Sequence, residues 1–268
     1  MSDPVERRFR SVANFYASPA LEWQLRMLGT HLHPGFEDAT VALASRAAHY
    51  GFAEGGIVVE LASALGGPAR YVARRFAATV ICVDFSLEMQ SALARGRVAE
   101  GMAARCVPVV ARTENLPLAS SSCDAAWSQD ALCHMDKGAA LSEVARVLRT
   151  GAVFAFTDFI ARSELTRDDA LALEREWAFP SLMRLADYSA TLDACGFELL
   201  LAEDRTRAVA AQHPRVQPLD QSRWEADFAA RRGRPEIDRQ NALLEIWANL
   251  VRAEHAGYGM FIARRRLQ

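Results

Sequence analysis

The apolar positions of this chain fall into short continuous runs separated by stretches with helical spacing. Ile57–Leu61, Thr79–Asp84, Arg105–Val110, Asp124–Ser128 and Ala152–Phe159 read as strands. Strands one, two and five are nearly all apolar, as expected for strands covered on both faces. Pro68–Phe76, with proline in its first turn, reads as a helix. Ser86 is placed to cap a helix running to about Arg95, and Asp136 to cap one whose face is Ala140, Leu141, Val144, Val147 and Leu148, with Thr150 and Gly151 as its stop.

Before this core, residues 1–20 are polar with no clear element, and Leu21–Leu28 has helical spacing. Gly29–Gly35 reads as a loop. Asp38 is expected to cap a helix over about 39–50 that Gly51 ends. After the core, 162–184 is amphipathic and charged. Leu185–Gly196 reads as a helix, Phe197–Ala202 as strand six, 203–222 as a polar stretch, Ile237–Val251 as a helix with one buried face, and Tyr258–Ala263 as a last strand.

Repeated strand–helix units predict an α/β fold: a Rossmann-like, seven-stranded, mostly parallel sheet with helices on both faces and a helical lid over its carboxyl edge. The expected organisation is 1–50 as N-terminal helices and flap, 51–160 as ligand-binding core, and 161–268 as the rest of the core with the lid insertion and last strands.

Composition narrows the class. The 268 residues carry a formal net charge of -2, so no basic nucleic-acid footprint is expected. Lys137 is the only lysine, so arginine supplies the other 30 of the 31 basic residues. Cys82, Cys106, Cys123, Cys133 and Cys195 are scattered without a C-x-x-C pair, which suggests neither a metal site nor a disulfide framework and fits a reducing cytoplasm. No signal peptide or membrane span is expected. A homodimer is left open.

The chemistry concentrates after strand one. Val58–Glu60 runs into Leu61-Ala62-Ser63-Ala64-Leu65-Gly66-Gly67 and then a helix start. Small side chains let backbone approach a ligand, and the helix N-terminus offers free N–H donors. Twenty-four residues after Glu60, strand two ends on Asp84. Two acids at successive strand ends suit the hydroxyls and ammonium of a nucleoside ligand. No G-x-G-x-x-G follows strand one, which disfavours a nicotinamide enzyme. His134 follows strand four at the same sheet edge and has the ordinary pKa of a neutral-pH base, though a turn-capping histidine would look the same. His31 and His33, in an extended loop, would point to opposite sides.

Four segments resemble the class I S-adenosylmethionine (SAM)-dependent methyltransferases, in particular natural-product sugar O-methyltransferases and glycine/sarcosine N-methyltransferases. They are Glu60–Arg70, Val83–Ser86, Glu114–Asp124 and Trp127–Gly151. The ending from Ala256 is similar to the last strand of the sugar O-methyltransferases.

The resemblance implies SAM as cofactor, held by Glu60, Ala62, Ser63, Gly66, Asp84, Phe85, Met89, Thr113, Glu114 and Gln129. Glu60 would face the methionine ammonium, Asp84 the ribose hydroxyls, and Thr113 and Glu114 the adenine. It implies His134 and Asp158 as a pair that takes the acceptor's proton, and Tyr16, His33, Trp127 and Asp130 at the flap and substrate. The expected substrate is a small metabolite or natural product with a hydroxyl, or an amine. The alternative is a methyltransferase-like fold with a degenerate pocket, acting as a non-methylating enzyme or as a binding or regulatory protein.

Two departures motivate that alternative. Ala62 and Ala64 replace family glycines, and Arg112 stands where many members carry an acid toward the adenine amino group. The loop can still form if its backbone keeps negative φ at both alanines.

Overall fold

Strand β1 (Ile57–Leu61) lies inside a single sheet, paired in parallel with β2 (Thr79–Asp84) on one side and β4 (Cys123–Gln129) on the other. The structure is a computed structural model that describes residues 4–17, 29–211, 226–231 and 233–267. The helical spacing at Leu21–Leu28 lies outside the described residues, as does most of the polar stretch ending at Ser222.

Adding β3 (Cys106–Val110), β5 (Leu148–Ala161), β7 (Phe197–Asp204) and β8 (Ala256–Arg265) gives the order β3-β2-β1-β4-β5-β8-β7. A two-residue strand β6 (Met183–Arg184) pairs with β5 beside this path. The expected seven strands therefore form the path and β6 is an eighth. β8 runs antiparallel to both β5 and β7, and the other pairings are parallel.

Side-chain alternation splits the core in two. Val59, Leu61, Phe154, Phe156 and Phe261 meet helices α5 (Lys137–Val147) and α7 (Tyr188–Ala194) on one face. Val58, Val80, Trp127, Ala155 and Ile262 meet α2 (Phe36–His49), α3 (Gly67–Arg75) and α4 (Leu87–Ala99) on the other. Phe156 stacks on Phe261 with ring centroids 4.7 Å apart. Each such buried ring contributes about 1.5–3 kcal/mol of transfer free energy.

Local signals explain most boundaries. Ser86 Oγ accepts from the Met89 N–H, and Asp136 Oδ1 from the Ala139 N–H, so both caps are formed. Other expectations are corrected. Residues 4–17 form helix α1, which the polar composition of residues 1–20 concealed. α2 starts at Phe36 behind Gly35 (φ 81°), so Asp38 lies in the first turn and is not the N-cap. α5 ends at Val147 because Leu148 turns extended and pairs with Cys123; Thr150 and Gly151 lie inside β5. α7 is shorter than read, being preceded by a 3-10 turn at Leu185–Asp187.

The strand order reverses between β1 and β4. β1 leads outward through β2 and β3, and β4 begins the other half. An open α/β sheet has its crevice at that reversal, outside the carboxyl ends of the strands. Over the carboxyl end of β5, α6 (Arg167–Trp177) and α9 (Arg234–Arg252) bury Leu173, Trp247 and Leu250 against Phe159, Phe179 and Tyr258.

Candidate active site

A cavity of about 330 Å³ lies at that reversal, in the size range of small-molecule sites. Its floor is Glu60–Ala64 after β1, Asp84–Ser86 after β2 and Gln129–Ala131 after β4. Its roof is one face of α1, carrying Phe9, Val12, Ala13 and Tyr16.

The loop after β1 is held from several sides. The Ser63 N–H donates to Val83 O at 2.9 Å, the Ala64 N–H to Asp84 Oδ2 at 3.0 Å, and the Gly66 N–H to Ser63 O at 2.7 Å. Arg70 Nη1 donates to Leu65 O at 2.7 Å and Gln90 Nε2 to Ser63 Oγ at 2.9 Å. This network imposes φ 48° on Ala62 and 44° on Ala64, so the loop forms without the negative φ that would spare the alanines. Left-handed backbone costs an L-residue about 1–2 kcal/mol, so the loop keeps its glycine shape against the preference of its side chains. Gly66 (φ 71°) caps α3, and a Cβ there would meet Leu93 Cδ1 at 2.7 Å. It shapes the loop and does not line the cavity.

Asp84 Oδ1 accepts from the Ser86 N–H at 2.9 Å, while Oδ2 takes Ala64. Burial raises its pKa, and those two amide donors oppose the rise. Glu60 is 3 % exposed, burial pushes its pKa well up, and its Oε2 has no hydrogen-bond partner. Glu114 Oε2 and Gln129 Nε2 are also buried without partners. A buried carboxylate oxygen and a buried amide N–H call for a donor and an acceptor from a ligand. A nucleoside carrying an amino acid supplies both kinds of group.

At the far end, Tyr16 Oη lies 3.3 Å from His134 Nε2. His134 Nδ1 is 3.1 Å from Ala178 O; a carbonyl can only accept, so Nδ1 carries the proton and Nε2 accepts from the phenol. Burial lowers the His134 pKa to about 4, so the ring is neutral at pH 7. Burial likewise raises that of Tyr16 and takes His33 down to about 3. His33 Nε2 is 3.1 Å from Thr40 Oγ1, which donates to Gln129 Oε1 at 3.0 Å.

Thirteen of the expected site residues line the cavity: Tyr16, His33, Glu60, Ala62, Ser63, Asp84, Phe85, Met89, Thr113, Glu114, Gln129, Asp130 and His134. Three do not. Besides Gly66, Trp127 is fully buried under the sheet, edge-on to Phe52, and donates from Nε1 to Gln129 Oε1 at 3.1 Å. It orients Gln129 and touches no ligand space. Asp158 is also fully buried, accepting from the Cys133 N–H at 2.9 Å and from the Tyr188 hydroxyl, with Lys137 Nζ 3.8 Å away. The expected His134–Asp158 pair is therefore not formed: Asp158 braces the turn at Leu132–His134 through its backbone.

His31 and His33 are corrected as well. A 3-10 turn at Gly29–His31 and φ 49° at Leu32 replace the extended loop, and both rings line the cavity with centroids 5.6 Å apart. No group of three metal-ligating side chains occurs among the described residues. Sequence reading missed Phe9, Val12 and Ala13. Their one signal is helical spacing with Tyr16 on a single face of α1.

Comparisons with known proteins bear on the fold. Residues 59–156 match the family model described as "Methyltransferase domain". Dimethylglycine N-methyltransferase of Parasynechococcus marenigrum is 28% identical over 79% of this chain and 76% of its own length. Methyltransferase GfsG of Streptomyces halstedii is 32% identical over 60% of this chain and 59% of its own. The structure of phosphoethanolamine N-methyltransferase 2 of Haemonchus contortus, in complex with SAM, superposes with a TM-score of 0.76 at 19% identity, over 95% of this chain and 59% of that one.

The fold is that of class I methyltransferases, and the domain match over residues 59–156 with the N-methyltransferase relatives supports a SAM-dependent enzyme of that class. No helix among the described residues is long and apolar enough to cross a membrane.

Proposed function

We propose that the protein methylates a hydroxyl, or secondarily an amine, of a small metabolite or natural product, with SAM as methyl donor. Glu60, Ser63, Asp84, Met89, Thr113, Glu114 and Gln129 would hold the cofactor. The unpartnered atoms of Glu60, Glu114 and Gln129 fit its charged and amino groups. When bound, the cofactor supplies a methyl carbon already activated by a sulfonium. The protein then has to position the nucleophile and exclude water.

The observation that carries this reading is the Tyr16–His134 contact, which closes the acceptor end of the cavity from the roof. The neutral imidazole accepts the phenol's hydrogen bond and so orients Tyr16 against the acceptor without placing a positive charge beside the sulfonium. α1 shuts out water, and α6 with α9 forms the lid over the acceptor side. Ala178, just beyond α6, accepts from His134 Nδ1 and fixes its tautomer.

The preference for a hydroxyl rests on charge. Asp84, Glu88 and Glu114 line the cavity with no basic side chain other than histidine among the described lining residues, so a substrate that brings its own carboxylate finds no cation there to pair with. The N-methyltransferase relatives named for dimethylglycine motivate the amine reading. The proposed setting is the cytoplasm, as a monomer or homodimer acting on small molecules and not on nucleic acid.

The test is calorimetry with SAM, followed by transfer of labelled methyl to a panel of hydroxylated natural products, sarcosine and dimethylglycine. Micromolar SAM binding with label on a hydroxyl is the expected outcome. Turnover of sarcosine or dimethylglycine alone would favour the amine reading, and no SAM binding would end both.

A further inference from the structure

A second, smaller cavity of about 30 Å³ lies behind the first. Asp38, Asp130, Thr157, Arg205 and Tyr258 are among its lining residues, and Asp130 alone of these also lines the main cavity. The smaller space exceeds the roughly 10–15 Å³ that a water needs, and it is polar enough to hold one.

Asp130 is built to stand in this wall. Its backbone is left-handed at φ 51°, pinned by its N–H donating to Thr157 O at 3.0 Å. Such strain persists only where the surroundings over-determine it, and it gathers at working sites. Its Oδ1 and Thr157 Oγ1 are both buried beside this cavity without a well-formed hydrogen bond, and the Thr157 hydroxyl is near enough to hold the Asp130 pKa down. The two side chains together start a polar path from the main cavity into the second.

We propose that Asp130 is the proton outlet of the reaction, taking the acceptor's proton in the main cavity and handing it through water in the second cavity, past Thr157, toward Asp38 and Arg205 at the surface. This rests on the methyl-transfer reading. The acceptor oxygen spends a lone pair on the new O–CH3 bond, the C–S pair stays on sulfur, and the O–H bond breaks. Its proton passes to the Asp130 carboxylate and then to water, which regenerates the carboxylate. An outlet is needed because α1 roofs the main cavity, and His134, held near pKa 4, cannot keep a proton at neutral pH.

The groups around Asp130 suit the task. Burial raises its pKa to about 7 against the Thr157 hydroxyl, and Asp158 on β5 adds to the rise. Tyr16 on α1 and Tyr258 on β8 face it uncharged, both with pKa values raised. Arg205 and Asp38 stand across the second cavity. A carboxyl that titrates near the working pH both accepts and returns a proton readily.

Infrared difference spectra between the full chain and its Asp130→Asn variant isolate this carboxyl, with the main cavity blocked by saturating S-adenosylhomocysteine. The expected carboxylic C=O band titrates near pH 7 and shifts on transfer to D2O. Ala208→Leu, which fills the second cavity from α8 (Thr206–Ala210), should slow that shift by about tenfold or more with S-adenosylhomocysteine affinity unchanged. Thr157→Val should slow it too, and it serves if the larger residue disturbs folding. Unchanged exchange in both variants, or no titrating band between about pH 5 and 9, overturns the outlet. Failure of S-adenosylhomocysteine to bind by calorimetry overturns the methyltransferase reading instead.

Discussion

The phenol of Tyr16 and the imidazole of His134 meet across 118 residues of sequence, 3.3 Å apart, with the edge of one ring toward the face of the other. The contact joins the roof helix to the sheet edge at the acceptor end of the cavity. Tyr16→Phe and His134→Ala should each lower kcat by about 10²-fold, the range of a lost positioning contact at the reacting atoms. SAM affinity should stay within a few-fold of wild type, since neither residue is placed at the cofactor. Steady-state kinetics beside calorimetry checks this, and unchanged kcat in both variants removes the pair from the mechanism.

Asp84 joins two backbone amides to the ligand space. Asp84→Ala should abolish measurable SAM binding, because it removes the carboxylate proposed to hold the ribose and also frees the Ala64 and Ser86 amides that shape the floor. Asp84→Asn keeps an acceptor and should retain weak binding. Equal loss in the two variants would point to the charge alone.

Ala62 and Ala64 hold backbone angles that favour glycine. Ala64→Gly relieves about 1–2 kcal/mol of left-handed strain against about 0.5–1 kcal/mol of added chain entropy in the unfolded state. The expected net gain is about 0.5–1 kcal/mol in urea unfolding, with SAM affinity equal or better. A loss of stability would show that the alanine Cβ packs to advantage.

Arg112 does the reverse of what an acid at its position would do. Its guanidinium lies 3.8 Å from the Phe9 ring centroid, and Nη2 reaches Glu6 Oε2 at 3.0 Å, so it holds α1 down on the β2 side of the cavity, where Phe9 meets Phe85. Both partners of the ion pair are partly exposed, so the ring contact carries most of the effect, of the order of 1 kcal/mol. Arg112→Ala should speed S-adenosylhomocysteine release several-fold in stopped-flow measurements. Release at the wild-type rate would show that α1 stays down without it.

Both buried histidines make the fold acid-sensitive. His33 and His134 titrate at about 3 and 4 when folded and near the ordinary 6.5 when unfolded. The unfolded chain therefore binds more protons below pH 6.5. The stability that the neutral rings provide is complete above that pH and drains away as pH falls toward 4 and then 3. The Tm should drop over this window. His33→Gln and His134→Gln should each flatten the drop, and an unaltered slope in both would place the acid sensitivity elsewhere.

The sheet was legible because buried parallel strands write themselves as apolar runs. β1 and β2 were placed to the residue. The floor was legible because Glu60, the small-residue loop and Asp84 sit at strand ends. The roof was not: among the described side chains of α1 Val12 is the buried one, and charged neighbours mask it. Asp158 misled for a related reason. A strand-end carboxylate in the sequence looks alike whether it faces the crevice or, as here, the Cys133 amide and Lys137. Trp127 and Gln129 share a face of β4 two residues apart, yet only the second reaches past the end of the sheet.

Lys137, the chain's sole lysine, is 8 % exposed and turned toward Asp158. Every exposed basic side chain besides histidine is thus a guanidinium. Reagents that acylate or cross-link ε-amines find no ready target on the surface. The outer positive charge also keeps its full value up to alkaline pH, where a lysine-coated protein would already be discharging.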